Sequence, residues 1–220
     1  MRWLRSLLFS IFLIATVIPY AIICVLWLPL PLRWRYRFTI GWPRLMIWGG
    51  RWIVGMRWRV KGWDNLPDQP AILLPKHQST WETMFLPAWM PREVCYVYKR
   101  ELNWVPFFGW GLAGLRMIAI DRKKGSDAFE QVVAQGRERL AAGRWMIMFP
   151  EGTRIAPGKK GKYKSGGARL AARTGALVVP IAHNAGECWP RKAFVKRPGV
   201  ITVSIGPPID PQGLTADEIN

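Results

Sequence analysis

No aspartate or glutamate occurs before Asp64, while Arg2 to Lys61 supply ten basic residues, so the opening stretch of this 220-residue chain carries charge of one sign only. Cysteine is scarce as well. Cys24, Cys95 and Cys188 form an odd, scattered set without a C-x-x-C pair, so neither a disulfide framework nor a metal-binding zinc site is indicated. There are only two histidines, His77 and His183, and no serine stands in a convincing nucleophile motif, which removes a hydrolase triad from consideration. Gly158 to Lys164 holds Lys159, Lys160, Lys162 and Lys164 in a glycine-bearing loop. Tyr163 stands where a phosphate-binding P-loop requires glycine, so that reading fails. Charge itself is missing from Ser6 to Leu32, a run of 27 residues.

A hydrocarbon core takes about 20 helical residues, so that run is long enough to span. It is too long for the apolar part of a signal peptide, and no small-residue cleavage site follows it. Pro19 in its middle kinks one helix or separates two, and Pro29 and Pro31 close it. Trp34 to Met56 then combines Arg44 and Arg51 with Trp48 and Trp52, a pattern suited to a helix at the membrane interface. Eight of the fourteen tryptophans fall in the first 63 residues, where indole rings and arginines together mark the headgroup layer. Residues 1–56 are therefore expected to be a membrane-embedded helical segment. It either spans the membrane or dips into one leaflet as a two-helix hairpin, and Pro19 with the following Arg/Trp segment slightly favours the hairpin. The basic residues on both flanks place the downstream domain, residues 57–220, in the cytoplasm.

That domain alternates strand and helix. Residues 57–61, 71–74, 94–98, 117–120, 145–149, 177–181 and 200–205 read as strands, and helices follow from about Ser79, at 127–142 and at 166–173. Such alternation predicts an α/β fold with a central, mostly parallel sheet flanked by helices, its chemistry in loops at strand ends. Thr215 to Asn220 reads as a helix start without its end.

The chemistry is concentrated in Pro75 to Glu82. His77 follows an apolar strand, and an imidazole can take a proton from a hydroxyl and return it near neutral pH. Glu82, five positions on, can orient that ring. The same residues, Ser79-Thr80-Trp81-Glu82, also spell a capping box, in which Glu82 would bond the Ser79 amide. Spacing alone leaves both jobs open. His183, without an acidic partner at helical spacing, reads as a loop or core histidine.

His77-x4-Glu82 resembles the H-x4-D motif of the glycerolipid acyltransferases, in particular those acting on 1-acylglycerol 3-phosphate, and Phe149-Pro150-Glu151-Gly152-Thr153-Arg154 resembles their FPEGTR signature. The likeness runs from about Trp58 to Ile209, through Ile120-Asp121-Arg122 and Val179-Pro180-Ile181. It departs at Glu82, where the family has aspartate, so the carboxylate must retract or the helix shift to keep the contact.

The resemblance implies a bacterial inner-membrane enzyme that esterifies the sn-2 hydroxyl of a 1-acylglycerol 3-phosphate, giving phosphatidate, with acyl-CoA or acyl carrier protein as donor, no metal and no cofactor. His77 would be the base and Glu82 its orienting partner. Arg122, Arg154 and Lys164 would hold the acceptor's phosphate, the arginines through paired N–H donors. Glu151 would hold a glycerol hydroxyl or an arginine, with Gly152 and Thr153 supplying an amide and a hydroxyl. The oxyanion is expected to meet backbone amides near the start of the helix after His77, and the apolar segment Trp104 to Trp110 to house the acyl chain. Another lysolipid, such as a lyso-ornithine lipid or a lysophospholipid, is the alternative acceptor. A chain of net charge +18 also suggests a basic membrane-surface or nucleic-acid binder, but that leaves the His77 and FPEGTR elements without a purpose.

Overall fold

The computed structural model describes residues 1–106, 108–121, 123 and 125–220. Seven strands among them form one sheet: β1 (Met56–Lys61), β2 (Ile72–Pro75), β3 (Val94–Lys99), β4 (Ile118–Ile120), β5 (Trp145–Ile147), β6 (Val178–His183) and β7 (Gly199–Ile205). Their order is β1-β7-β6-β2-β5-β3-β4, and every neighbouring pair is parallel except β6 and β7. The mostly parallel α/β sheet expected from the alternation is therefore present. Its central strands are continuous apolar runs, with Ile72, Leu73, Trp145, Met146, Ile147 and Val179 all buried, as a sheet covered on both faces requires.

The crossovers decide where a site can form. Helix α4 (Trp81–Trp89) joins β2 to β3, and α7 (Gly166–Thr174) joins β5 to β6. Those two connections leave the adjacent strands β2 and β5 in opposite directions along the sheet. Right-handed crossovers then put α4 and α7 on opposite faces. The β2/β5 boundary is thus the switch point, where a crevice opens beyond the carboxyl ends of the strands. Helix α4 is anchored there by Trp81, Phe85 and Trp89. Spaced four residues apart, their rings stack with centroids 4.5 and 5.2 Å apart.

The residues before β1 form α1 (Arg2–Leu26), α2 (Leu32–Thr39) and α3 (Gly41–Gly49), followed by a π turn at Gly50–Val54. Pro19 lies inside α1 without dividing it. The single interfacial helix expected over 34–56 is instead divided. Pro43 has no N–H to give the Thr39 carbonyl, so α2 ends there, and proline is tolerated in the first turn of α3. The π turn stops at Gly55, whose φ of 90° favours glycine.

Helix α1 packs one face on the rest of the protein. Trp42 Nε1 donates to Thr16 Oγ1 at 3.1 Å, and the Phe12 ring lies so close to Gly49 that a β-carbon there would sit 2.5 Å away. Near the start of α1, Ser6 Oγ accepts from the Lys196 amide at 2.9 Å, and Phe9 meets Trp189 edge-on at 5.3 Å. Just past its other end, Leu28 lies against Gly114 of α5 (Phe108–Gly114). The opposite face exposes Leu4, Leu8, Ile11, Ile14, Ile18, Ile22 and Leu26 as one stripe. Among the described residues, α1 is the one helix long and apolar enough to cross a membrane.

Candidate active site

Three adjacent strands, β6, β2 and β5, deliver their following loops to the switch point. The β2–β6 register pairs Pro75 with Ile181, which brings Lys76 and His77 beside Ala182 and His183. The β2–β5 register pairs Leu73 with Ile147, so the loop starting at Met148 runs along the other side of His77. Residues distant in sequence meet here because parallel strands end at one edge of the sheet.

The backbone around His77 is pinned at nearly every polar group. The Lys76 N–H donates to the Ile181 carbonyl at 2.8 Å, and the Lys76 carbonyl meets His183 Nε2 at 2.8 Å. The His77 N–H donates to Glu151 Oε2 at 2.7 Å, and the His77 carbonyl accepts from the Ile155 N–H at 2.8 Å. The Gln78 and Ser79 amides both donate to Glu82 Oε1, at 2.9 and 2.8 Å. Buried backbone groups must find partners, and here two carboxylates and a histidine supply three of the acceptors and donors that regular structure does not.

Glu82 Oε1 also contacts His77 Nδ1 at 2.9 Å. An oxygen already accepting two backbone N–H bonds meets the ring as an acceptor, so Nδ1 carries the proton and Nε2 keeps its lone pair. One oxygen thus makes both of the contacts that spacing left open, to the ring and to the Ser79 amide. The reciprocal half of a capping box is absent, because Ser79 Oγ accepts from the Trp81 amide at 3.1 Å and α4 begins after Thr80. Glu82 is buried, and its other oxygen, Oε2, has no hydrogen-bond partner among the described residues. The His77 ring stacks on Phe149 at 3.9 Å between centroids, which fixes the ring plane, and 15% of its side chain stays exposed.

The 149–154 loop wraps this histidine. Glu151 has no exposed side-chain surface, and its second oxygen, Oε1, binds Lys76 Nζ at 3.0 Å. Both of its oxygens are thus occupied within the protein. Gly152 has φ of 64°, and a β-carbon there would press on Lys164, 3.2 Å from Nζ, so the lysine side chain lies across this glycine. Lys164 and Thr153 are exposed, and Arg154 is half-buried with no side-chain partner among the described residues. Arg191 donates to the Arg154 carbonyl at 2.9 Å and ties the loop down. The structure therefore brings His77, Glu82, Glu151, Gly152 and Lys164 together and sets Thr153 and Arg154 on the same loop. Arg122 lies outside the described residues.

Two features add to the sequence reading. The oxyanion is expected to meet unspecified backbone amides near the start of the helix after His77; in that region the amides of His77, Gln78 and Ser79 donate to Glu151 and Glu82. His183, read as a plain loop or core residue, contacts the His77 loop. Burial holds its pKa below the usual histidine value, outweighing the Glu82 charge and the Lys76 carbonyl, which act in the opposite direction. Neither the contacts of Glu151 nor those of His183 with the His77 loop were legible locally, because both depend on strand order.

Residues 57–184 match the family model described as Acyltransferase. The chain is 46% identical over 212 residues to the 1-acyl-sn-glycerol-3-phosphate acyltransferase of Pseudomonas aeruginosa, covering 96% of this chain and 82% of that one. It is 29% identical over 180 residues to the human 1-acyl-sn-glycerol-3-phosphate acyltransferase alpha, spanning 63% of that protein's length. Its fold is similar to the crystal structure of the 1-acyl-sn-glycerophosphate (LPA) acyltransferase PlsC from Thermotoga maritima, with a TM-score of 0.77 and 22% identity over 100% of this chain and 92% of that one.

Proposed function

The chain belongs to the acyltransferase family, and from that premise we propose that it transfers an acyl chain from a thioester to the sn-2 hydroxyl of 1-acylglycerol 3-phosphate, giving phosphatidate. The relatives named above carry that activity in their names. The observation that carries the reading on this chain's own residues is the 2.9 Å contact between His77 Nδ1 and Glu82 Oε1, which leaves Nε2 as the group able to accept a proton.

Nε2 takes the hydroxyl proton as the acceptor's oxygen attacks the thioester carbonyl. Glu82 stabilises the imidazolium that results. When the tetrahedral intermediate collapses, the carbon–sulfur bond breaks and the departing thiolate takes the proton back from the imidazolium. The intermediate's oxyanion draws on donors other than the amides of residues 77–79, since those already face carboxylates.

Arg154, Lys164 and Arg122 hold the acceptor's phosphate, with Gly152 and Thr153 lining its approach. Arg154 has a guanidinium without a side-chain partner among the described residues, and Lys164 lies over Gly152, which supports this assignment for those two. Glu151 takes a different role from the substrate contact suggested by its motif. With both oxygens on Lys76 and His77, it sets the position of the base's backbone. Acyl-CoA or acyl carrier protein is the donor. Trp104, Val105 and Phe108, exposed near the end of α1, offer apolar surface to the acyl chain.

Residues 1–56 attach the protein to the membrane, with the domain of residues 57–220 on the cytoplasmic face. The test is an assay of purified protein in vesicles with labelled lysophosphatidate, lysophosphatidylcholine and a lyso-ornithine lipid, each with acyl-CoA and with acyl carrier protein thioester. Lysophosphatidate should be acylated fastest. Preference for the lyso-ornithine lipid, which lacks phosphate, would remove the proposed acceptor.

A further inference from the structure

We infer that His183 is a positioning residue for the reaction, holding the proton-accepting His77 in place through the carbonyl of Lys76. This rests on the reading of His77 as the base.

The argument begins with the peptide unit between Lys76 and His77. A peptide is planar, so its carbonyl and its N–H turn together. Here His183 Nε2 holds the carbonyl at 2.8 Å, and Glu151 Oε2 holds the N–H at 2.7 Å, so one rigid plate is fastened at both edges. The next plate, between His77 and Gln78, is fastened in the same way by the Ile155 N–H and Glu82 Oε1. The α-carbon of His77 lies between the two plates. Its direction is therefore set by four hydrogen bonds, one of which comes from His183.

The histidine suits this task because of what each ring nitrogen meets. The Lys76 carbonyl can only accept, so Nε2 must carry the proton. The Ala185 N–H, 3.2 Å from Nδ1, can only donate, so Nδ1 must keep its lone pair. Both contacts exist together only for the neutral ring in one tautomer. That ring is buried, and an apolar replacement would leave the Lys76 carbonyl without its donor. The segment after it supports the same loop a second time. The Gly186 N–H donates to Gln78 Oε1 at 3.3 Å, and α8 (Ala185–Cys188) lies against Gln78 and Pro157 at Gly186. A packing residue would need one of these contacts at most. A device that presents the base needs them converging on residues 76–78, which is what is observed.

Placement errors near 1 Å reduce turnover by about 100-fold without changing how the acceptor binds. The experiment compares His183→Leu, His183→Asn and His183→Gln with the wild-type protein, measuring kcat and the KM for lysophosphatidate in vesicles. His183→Leu has no donor, Asn is too short to reach the carbonyl, and the Gln amide can place an N–H close to where Nε2 stood. The expected result is a fall in kcat of roughly 10- to 100-fold for Leu and Asn, with KM within about twofold, and recovery by Gln to within a few-fold of wild type. Wild-type kcat in folded His183→Leu, a Gln variant no better than Asn, or a loss confined to KM would overturn the inference. If Leu does not fold, the Asn and Gln pair decides by the same comparison. His77→Ala is the control that keeps the two readings apart. If His77→Ala stays active, the base assignment fails. If His77→Ala is inactive and the His183 variants are unchanged, only the present inference fails.

Discussion

At the scale of single residues, the unusual feature is the load on Glu82 Oε1, which receives the His77 ring and two backbone amides while Oε2 receives nothing. Glu82→Gln keeps an acceptor for those donors but removes the charge that stabilises the imidazolium. It also places an amide where no acceptor lies, at a cost of about 1–3 kcal/mol in stability. Activity should fall by orders of magnitude while the melting temperature drops only a few degrees, measured by turnover and thermal unfolding side by side. Glu82→Asp should retain partial activity, well above the Gln variant. Full activity in Glu82→Gln would reduce Glu82 to a backbone acceptor.

Arg154 gives a second prediction at this scale. Arg154→Ala should weaken a phosphate-bearing acceptor selectively, by roughly 2–5 kcal/mol, the usual effect of truncating one partner of a desolvated charge pair. Competition between lysophosphatidate and a phosphate-free lysolipid measures it, and equal loss for both would deny the phosphate role.

His183 gives a third. Its folded-state pKa lies below the unfolded value of 6.5, so the unfolded chain binds more protons as pH falls through that region. The stability tied to its neutral form is complete above pH 6.5 and is lost as pH decreases from there toward the folded value. Acid unfolding of His183→Gln should accordingly be less steep below pH 6.5 than that of the wild type.

At the scale of elements, the strands were legible and their neighbours were not. Apolar runs such as Ile72 to Leu74 and Trp145 to Ile147 announce buried strands by composition, and both are present within a residue or two. The placement of β5 and β6 on either side of β2 depends on crossovers that no local pattern records, so the contacts of Glu151 and His183 with residues 76–77 stayed hidden. The pair His77 and Glu82 was legible because both ends of that contact lie within five residues. The interfacial segment was legible in kind, through Arg51 among Trp48, Trp52 and Trp58, but not in its division at Pro43.

Helix α1 carries the prediction at this scale. Its 25 residues make it about 37 Å long, enough to span. Yet Ser6 near one end is bonded to Lys196, and Leu28 beyond the other rests on Gly114, so both ends lie against the same domain. That arrangement favours a helix lying in one leaflet with its exposed stripe in the acyl chains. Single cysteines at Arg2 and Arg33, in a background without native cysteines, should both be labelled from the cytoplasmic side. Labelling from opposite sides would mean a span.

At the scale of the whole molecule, the uneven charge and the site are parts of one arrangement. Arg33, Arg37 and Arg51 are exposed beside the tryptophans of the opening segment, where anionic headgroups meet basic side chains. On the proposed function, the protein would meet its acceptor in the bilayer, and the product would stay there. Across the sheet, β2, β5 and β6 bring His77, Glu82 and the loop that follows Phe149 to a single edge. The proposed function turns on His77, so the most direct measurement is the turnover of purified His77→Ala on lysophosphatidate in vesicles, with folding and vesicle binding checked in the same preparation. The account predicts an intact, membrane-bound protein whose turnover falls by about 10² to 10⁴. Turnover near the wild-type rate in that folded variant would contradict it.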